Sequence, residues 1–97
     1  MKLRFAPRAA HDLGEIGEYL RSRSPSGAVR VQHAILDSVQ VLIQFPHAGR
    51  AQQLEGVRKM AVRNYPYLVY YRLDALADEI VIVTIQHASR ERPFDDA

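Results

Sequence analysis

The residues that could do chemistry concentrate between positions 57 and 92. This stretch reads VRKMAVRNYPYLVYYRLDALADEIVIVTIQHASRER, and it carries spaced arginines, one lysine and a closing His87-x-x-Arg90. Arginine makes planar, bidentate contacts with phosphate and carboxylate groups, and histidine exchanges protons near neutral pH. The combination indicates a surface for an anionic or hydrogen-bonding partner, as either a binding site or a cleavage site.

The cations are unusual in kind and in position. Eleven of the 13 Lys and Arg residues are arginines, although the formal net charge is only +2. A genome with an arginine-biased code would also explain that number, so position is the stronger signal. Residues 50–72 hold Arg50, Arg58, Arg63 and Arg72 against Glu55 as their one acid, whereas other acids cluster in the first helix and at Asp95-Asp96. The charge pattern predicts that the sheet side of the protein is basic.

Each candidate residue has two interpretations. Arg50, Arg58 and Arg63 could meet a partner, or pair with an acid among Glu55, Asp74 and Asp78. His87 could act as a general base, or cap a strand end through hydrogen bonds. Four tyrosines between residues 65 and 71 could stack on a partner, or fill the sheet, and we expect at least two of the four to do the latter; they are Tyr65, Tyr67, Tyr70 and Tyr71.

Length and composition predict one small globular domain over residues 1–97. The hydrophobic and charged fractions, 47% and 25%, are ordinary for such a domain. The chain has no cysteine, which excludes disulfides and thiolate metal sites. No apolar run approaches the roughly 20 residues of a membrane span, and the N-terminus lacks the hydrophobic region of a signal peptide. We therefore expect a cytoplasmic protein without a membrane contact, a metal or a cofactor.

The first elements are predicted to be a strand and a helix. Lys2–Phe5 is typical of a short strand, and Pro7 suits the first turn of a helix. Apolar residues then recur at helical spacing, at Ala9, Leu13, Ile16 and Leu20. Charged residues fall outside that stripe and are expected to face solvent; they are Asp12, Glu15, Glu18 and Arg21. Gly14 and Gly17 weaken a helix and are expected to allow a neighbouring backbone to come close.

A second helix is predicted from Ser24 and Pro25 to about Phe45. Ser24 can cap its first turn, and Pro46 ends it. One apolar stripe comprises Ala28, Val31, Ile35, Val39 and Leu42. Leu36 and Ile43 widen this stripe, so we expect the helix to pack against more than one neighbour, with part of the helical surface left for a partner. The short connection predicts an antiparallel helical hairpin.

Three strands are predicted after a loop that runs through Gly56, at about residues 57–63, 67–73 and 79–87. Asn64-Tyr65-Pro66 and residues 74–78 form the two turns. The last two strands are apolar on both faces and are therefore expected at the centre of the sheet. The predicted fold is α+β in the order β-α-α-β-β-β, with the helical hairpin on one face of a small, mainly antiparallel sheet.

This order and several local patterns resemble the ParE/RelE superfamily of toxins from type II toxin–antitoxin modules. The patterns are A-A-H-D-L-x-x-I-x-x-Y at residues 9–19, F-P-H-A-G-R at 45–50, Val57-Arg58, Y-P-Y-L-V-Y-Y-R at 65–72 and I-Q-H-x-x-R at 85–90. RelE-like members cut mRNA on the ribosome, and ParE-like members are described as inhibitors of DNA gyrase. The resemblance therefore implies one of two activities on the same fold.

Comparison with the RelE-like pattern leaves much of the cleavage set unmatched. Lys59 falls on one of its lysines and Arg90 on its last arginine. Ala61 stands where the second lysine falls, Tyr67 where an arginine falls, and Phe94 follows where a tyrosine would supply a proton. In a YoeB-like arrangement Glu55, Arg63 and His87 would fill three roles, again without the tyrosine.

These departures favour the ParE-like branch. The resemblance implies a gyrase inhibitor that acts by protein binding, with a ParD-like antitoxin as partner and operator DNA contacted only through that antitoxin. The partner-binding candidates are Arg50, Arg58, Arg63, Tyr67, Arg72, His87 and Arg90. Two alternatives stay open. One is an mRNA endonuclease that uses Lys59, Arg63, His87 and Arg90, and the other is a degenerate, non-toxic module.

Overall fold

The computed structural model describes residues 1–90, and the positions noted above at Arg92, Phe94 and Asp95-Asp96 lie outside them. The described chain forms strand β1 (Lys2–Phe5), helices α1 (Pro7–Arg21) and α2 (Pro25–Gln44), and strands β2 (Arg50–Ala51), β3 (Val57–Ala61), β4 (Tyr67–Asp74) and β5 (Glu79–His87). A single 3₁₀ turn, Ala88–Arg90, follows β5. The α+β fold with two consecutive helices is confirmed, and a two-residue strand replaces part of the predicted loop before Gly56.

The five strands form one mixed sheet in the order β1-β5-β4-β3-β2. β1 pairs with β5 in parallel, and the other neighbours are antiparallel. β4 and β5 lie at the centre, as their apolar residues on both faces predicted. Strand β3 ends at Ala61 rather than at Arg63, because the chain already turns there and Asn64 adopts a left-handed conformation at φ 70°.

Both helices pack on one face of the sheet. The main core joins Ala9 of α1 and four residues of α2 to the strand residues that face them. The predicted α2 stripe is fully confirmed, since Ala28, Val31, Ile35, Val39 and Leu42 are all buried. The Ser24 side chain caps α2 by accepting a hydrogen bond from the Gly27 amide at 3.1 Å. A smaller cluster of Val57, Leu68 and Tyr70 lies on the opposite face of the sheet.

Two expectations for the helices were wrong. Leu36 and Ile43 do not extend the buried stripe of α2, because they are 39% and 43% exposed. Gly14 has no atom within 4 Å of the position a Cβ would take, so no backbone approaches it. At Gly17 the crowding comes from the side chains of Gln32 and Arg21 rather than from a backbone. The surface of the hairpin is therefore more open than the sequence pattern suggested.

A tight clamp joins the end of α2 to the sheet. The Tyr71 hydroxyl accepts a hydrogen bond from the Gly49 amide and donates one to the Pro46 carbonyl, both at 2.8 Å. Arg58 donates to the carbonyl of Gly49 at 2.8 Å from the neighbouring strand. This close packing explains the glycine of the F-P-H-A-G-R pattern. A Cβ at residue 49 would lie 2.7 Å from the Tyr71 ring and 2.9 Å from the Lys59 carbonyl.

Substitution of Gly49 by alanine should therefore destabilise the protein. Overpacking against a backbone carbonyl costs about 1–3 kcal/mol of unfolding free energy. Gly14→Ala is the matched control, since the added methyl group enters open space on a helix and should stabilise by roughly 0.5–1 kcal/mol. Urea unfolding measures both changes. Equal effects of the two substitutions would contradict the clamp.

Candidate functional site

The strand-end groove is a cavity of about 1000 Å³ between the helical hairpin and the sheet. We define it by seven of its lining residues, which come from both helices, β4, β5 and the 3₁₀ turn: Arg8, Asp12, Tyr19, Arg30, Tyr67, His87 and Arg90. The pattern at residues 85–90 predicted part of this wall. The helical contribution was not predicted.

A β-bulge in β5 decides which residues face the groove. Tyr70 pairs with Thr84 but Tyr71 pairs with Ile82, so Val83 is an extra residue without a counterpart on β4. Before the bulge Ile80 and Ile82 face the helices, and after it Ile85 does. The extra residue therefore shifts the alternation by one position, because side chains in a strand point to opposite faces in turn.

The Asp12 carboxylate holds this bulge. It accepts a hydrogen bond from the Ile85 amide at 3.1 Å and another from the Thr84 hydroxyl. The prediction that Asp12 faces solvent was wrong: it is half-buried and links α1 to the centre of β5. Its partner Thr84 is fully buried, so the bond forms where water cannot easily replace it.

His87 lies on the helix-facing side of the sheet. Its ring meets the Tyr67 ring edge-on, with centroids 5.3 Å apart and planes at 82°. Nδ1 of the imidazole accepts a hydrogen bond from the Ser89 amide at 3.1 Å and lies 2.8 Å from the Ser89 hydroxyl. The local hydrogen bonds expected of a capping histidine are therefore present, and in the neutral ring Nε2 carries the N–H that can donate to a partner.

Tyr67 is buried at 8% exposure beside His87. Burial, and secondarily the nearby Tyr19, raise the pKa of the Tyr67 phenol above its ordinary value. Three of the four strand tyrosines are buried, namely Tyr67, Tyr70 and Tyr71, which confirms that most of them fill the sheet. Tyr19 instead stays 57% exposed at the groove, with the Arg23 guanidinium 4.0 Å from the centre of its ring.

The other predicted residues lie away from the groove lining. Arg50 is exposed on β2, next to Lys59 of β3 in the sheet register. Arg72 is exposed on β4, and Arg63 is exposed in the turn that follows β3. Arg58 is half-buried and occupied by the Gly49 clamp. Of the seven partner-binding candidates, only Tyr67, His87 and Arg90 meet at the strand-end groove.

The acids proposed as pairing partners do not neutralise these arginines. Within residues 1–90, Asp78 lies 4.0 Å from the N-terminal amine, and Asp74 accepts a hydrogen bond from the Ala77 amide at 3.1 Å. None of Arg50, Arg58 and Arg63 forms an ion pair there. In the same part of the chain, no cluster of three or more His, Cys, Asp or Glu side chains is placed to hold a metal ion.

Sequence reasoning missed Arg8, Tyr19 and Arg30 as groove residues. A signal existed in α1, because Arg8, Asp12, Glu15 and Tyr19 recur at the 4, 3 and 4 spacing of one helical face. A charged stripe on a helix is usually solvated, and only the position of β5 turns this one into the wall of a groove. None of the helices in residues 1–90 is both long and apolar enough to cross a membrane.

Comparisons with known proteins agree with this fold. Residues 3–92 match the family model described as the ParE toxin of the type II toxin–antitoxin system parDE. Y4kP of Sinorhizobium fredii is 30% identical over 92 residues, covering 95% of this chain and 93% of that protein. Toxin RelE3 of Caulobacter vibrioides is 31% identical over 90 residues, covering 91% and 95%.

A solved structure of the chromosomal ParDE system of P. aeruginosa superposes with a TM-score of 0.78 at 27% identity, covering 90% of this chain and 95% of that one. The protein is thus a small α+β toxin of the kind found in type II toxin–antitoxin systems. It belongs to the ParE toxin family.

The bond between Asp12 and the bulge gives a stability prediction. Asp12→Ala removes the acceptor of the Ile85 amide and the Thr84 hydroxyl, so the free energy of unfolding should fall by about 1–3 kcal/mol. Asp12→Asn keeps one acceptor oxygen and should lose less. Glu15→Ala on the same helix is the control, since the Glu15 carboxylate forms an exposed ion pair with His11 and is exposed itself. If urea unfolding ranks Glu15→Ala as the most destabilised, Asp12 does not hold the bulge.

The raised pKa of Tyr67 predicts an alkaline loss of stability. The folded pKa lies above the unfolded one, so the neutral phenol stabilises the fold at lower pH, and this contribution disappears as pH rises above about 10. The free energy of unfolding of the Tyr67→Phe variant should fall less steeply as pH rises over that range. Tyrosinate absorbance should show that one phenol with a raised pKa is missing in this variant, and an unchanged titration would contradict the assignment.

Proposed function

We propose that this protein inhibits DNA gyrase by protein binding and is neutralised by a ParD-like antitoxin. One geometric observation carries the choice between this activity and RNA cleavage. The residues available for cleavage are divided between the two faces of the sheet. A general base, a general acid and phosphate-binding cations must surround one phosphate to act together.

Lys59 and His87 illustrate the division. Lys59 pairs with Tyr70, whose side chain belongs to the cluster on the face away from the helices. His87 pairs with Tyr67, which belongs to the core on the helix-facing side. Side chains that are opposite in register share a face, so Lys59 and His87 project to opposite sides of the sheet.

The neighbouring positions reinforce this argument. Ala61 stands on the Lys59 face of β3, where the RelE-like pattern has its second lysine. Tyr67 takes the position of an arginine and is buried against the His87 ring. The two substitutions remove a cation of the RelE-like pattern from each face of the sheet, which supports an activity based on protein contacts.

Exposed apolar residues of α2 support a helical partner. Val29, Leu36 and Ile43 are 51%, 39% and 43% exposed and recur every seven residues along one face of the helix. A seven-residue apolar repeat is the pattern on which another helix packs. An exposed row of large apolar side chains is a mark of an interaction surface. We assign this row to the helical segment of the antitoxin.

A ribosome-dependent endonuclease is the second candidate, favoured by one feature of the groove. Arg8, Arg30 and Arg90 line it together with His87, so cations do surround one titratable group. The 31% identity to a protein named RelE3 also supports this activity.

A supercoiling assay tests the proposed function. Purified toxin should block the conversion of relaxed plasmid to supercoiled plasmid by gyrase, and antitoxin added beforehand should restore it. A translating extract serves as the second arm, in which reporter mRNA should stay intact. Normal supercoiling at saturating toxin, with mRNA cut and the cutting lost in His87→Ala, would replace this proposal by the endonuclease.

A further inference from the structure

One end of the molecule consists of three turns of chain that carry no acid. They are the turn of the helical hairpin, the β3–β4 turn and the 3₁₀ turn after β5, and residues in or beside each of them line the strand-end groove. Residues 19–30, 62–67 and 84–90 contain five arginines and no aspartate or glutamate. We call this end the basic pole and define it by four of these arginines: Arg23, Arg30, Arg63 and Arg90.

The four arginines of the basic pole are exposed and have no acidic partner in the described chain. Each of them is exposed to solvent, and none forms an ion pair within residues 1–90. Cations that the fold gathers without acids repel one another, and this repulsion disappears when an anion binds among them. The basic pole is therefore suited to a ligand with several negative charges.

The acids of the sheet lie at its other end. Strand β4 runs from Tyr67, beside the basic pole, to Asp74, and its eight residues span about 23 Å. Asp74, Asp78 and Glu79 surround the β4–β5 turn there. The sheet is thus positive at one end and negative at the other. This asymmetry would orient the protein with the basic pole towards a polyanion.

The side chains of the basic pole favour phosphate groups over a protein surface. The core of a protein interface is apolar and poor in charge, whereas DNA interfaces are polar and strongly positive. Apart from Tyr19 and Val29, the exposed large apolar residues of the described chain lie outside the pole. Its remaining exposed side chains include the hydroxyl groups of Ser22, Ser26 and Ser89. Arginine and serine are among the residues that bind phosphate oxygens of DNA.

The aromatic rings at this end favour a duplex over a single strand. Single-stranded nucleic acids stack their bases on free aromatic faces. The Tyr19 ring already carries the Arg23 guanidinium, 4.0 Å from its centre. Tyr67 is buried against His87, and Tyr65 is packed against the main core. The basic pole therefore offers cations to a phosphate backbone and few open rings to unstacked bases.

We propose that the basic pole binds the sugar–phosphate backbone of duplex DNA without reading its sequence. This contact goes beyond the protein binding of the proposed function, and it rests on that function only in taking the DNA held by gyrase as the DNA met in the cell. Arginine binds phosphate through two parallel hydrogen bonds. Such contacts position a protein on a duplex and carry no sequence information.

Fluorescence anisotropy with labelled duplexes of two helical turns tests this directly. The full-length toxin should bind two duplexes of unrelated sequence with the same affinity. The logarithm of the association constant should fall linearly with the logarithm of the salt concentration, with a slope of about −0.9 for each phosphate contact. Four arginines therefore predict a slope of about −3 to −4.

Substitutions in the basic pole provide the second readout. Arg23→Ala, Arg30→Ala, Arg63→Ala and Arg90→Ala should each weaken binding by roughly fivefold and make the salt slope shallower by about 1. Arg72→Ala is the matched control, because it removes the same charge from an exposed site on β4, outside the pole. Its affinity for the duplex should stay unchanged. Circular dichroism establishes that each variant is folded.

Four results would overturn the assignment. They are a lack of saturable binding at roughly 50 mM salt, an equal loss of affinity in Arg72→Ala, displacement of the duplex by polyglutamate at the same concentration of charge, and tighter binding of single-stranded RNA. Binding of labelled toxin to gyrase without DNA reports separately on the protein contact. A toxin that binds gyrase but no duplex refutes this inference only, and one that binds the duplex but not gyrase refutes the proposed function only.

Discussion

The contact of the Asp12 carboxylate with the bulge of β5 is the interaction on which the functional side of this protein depends. It joins the first helix to the central strand pair at the one point where their pairing is irregular. The Ile85 amide faces the side of β5 on which β1 pairs only as far as Ile82, and a buried amide without an acceptor costs about 1–3 kcal/mol. By accepting from Ile85, Asp12 removes that cost and fixes how α1 lies against β5.

The bulge also determines where His87 points. With unbroken alternation from Ile80 and Ile82, residues 84 and 86 would face the helices, and residue 87 would face the other side. The extra residue at Val83 reverses this, so that His87 lies against Tyr67 under the helices. An uninterrupted strand would have put His87 on the same face as Lys59. One inserted residue thus puts His87 and Lys59 on opposite faces of the sheet.

The sequence predicted the elements of the fold well because their signals are local. The α2 stripe, the Ser24 cap and the central place of β4 and β5 follow from periodicity, capping and apolar content, and all were confirmed. The bulge could not be predicted, since Ile80-Val81-Ile82-Val83 is apolar on both faces and shows no alternation whose interruption could be detected. Strand β2 was missed because two residues are too short to carry a pattern.

The site was predicted in part, because local signals place only some of its residues. Tyr67, His87 and Arg90 share one end of neighbouring strands, so the turn and strand signals bring them together. Arg8 and Arg30 reach the same groove through helix packing, which depends on contacts between distant parts of the chain. Arg58 shows another effect of packing, because part of the guanidinium whose charge suggested a partner donates to the Gly49 carbonyl.

The two activities known on this fold place different demands on the sheet. Phosphodiester cleavage needs several groups aimed at one point, and a reversal of strand phase is enough to disperse them. Partner binding needs exposed edges, charge and apolar rows, and these tolerate dispersion because each contact contributes separately. The exposed apolar row of α2 and the exposed arginines of the sheet belong to the second set. This geometry supports the proposal of a toxin that works by what it binds.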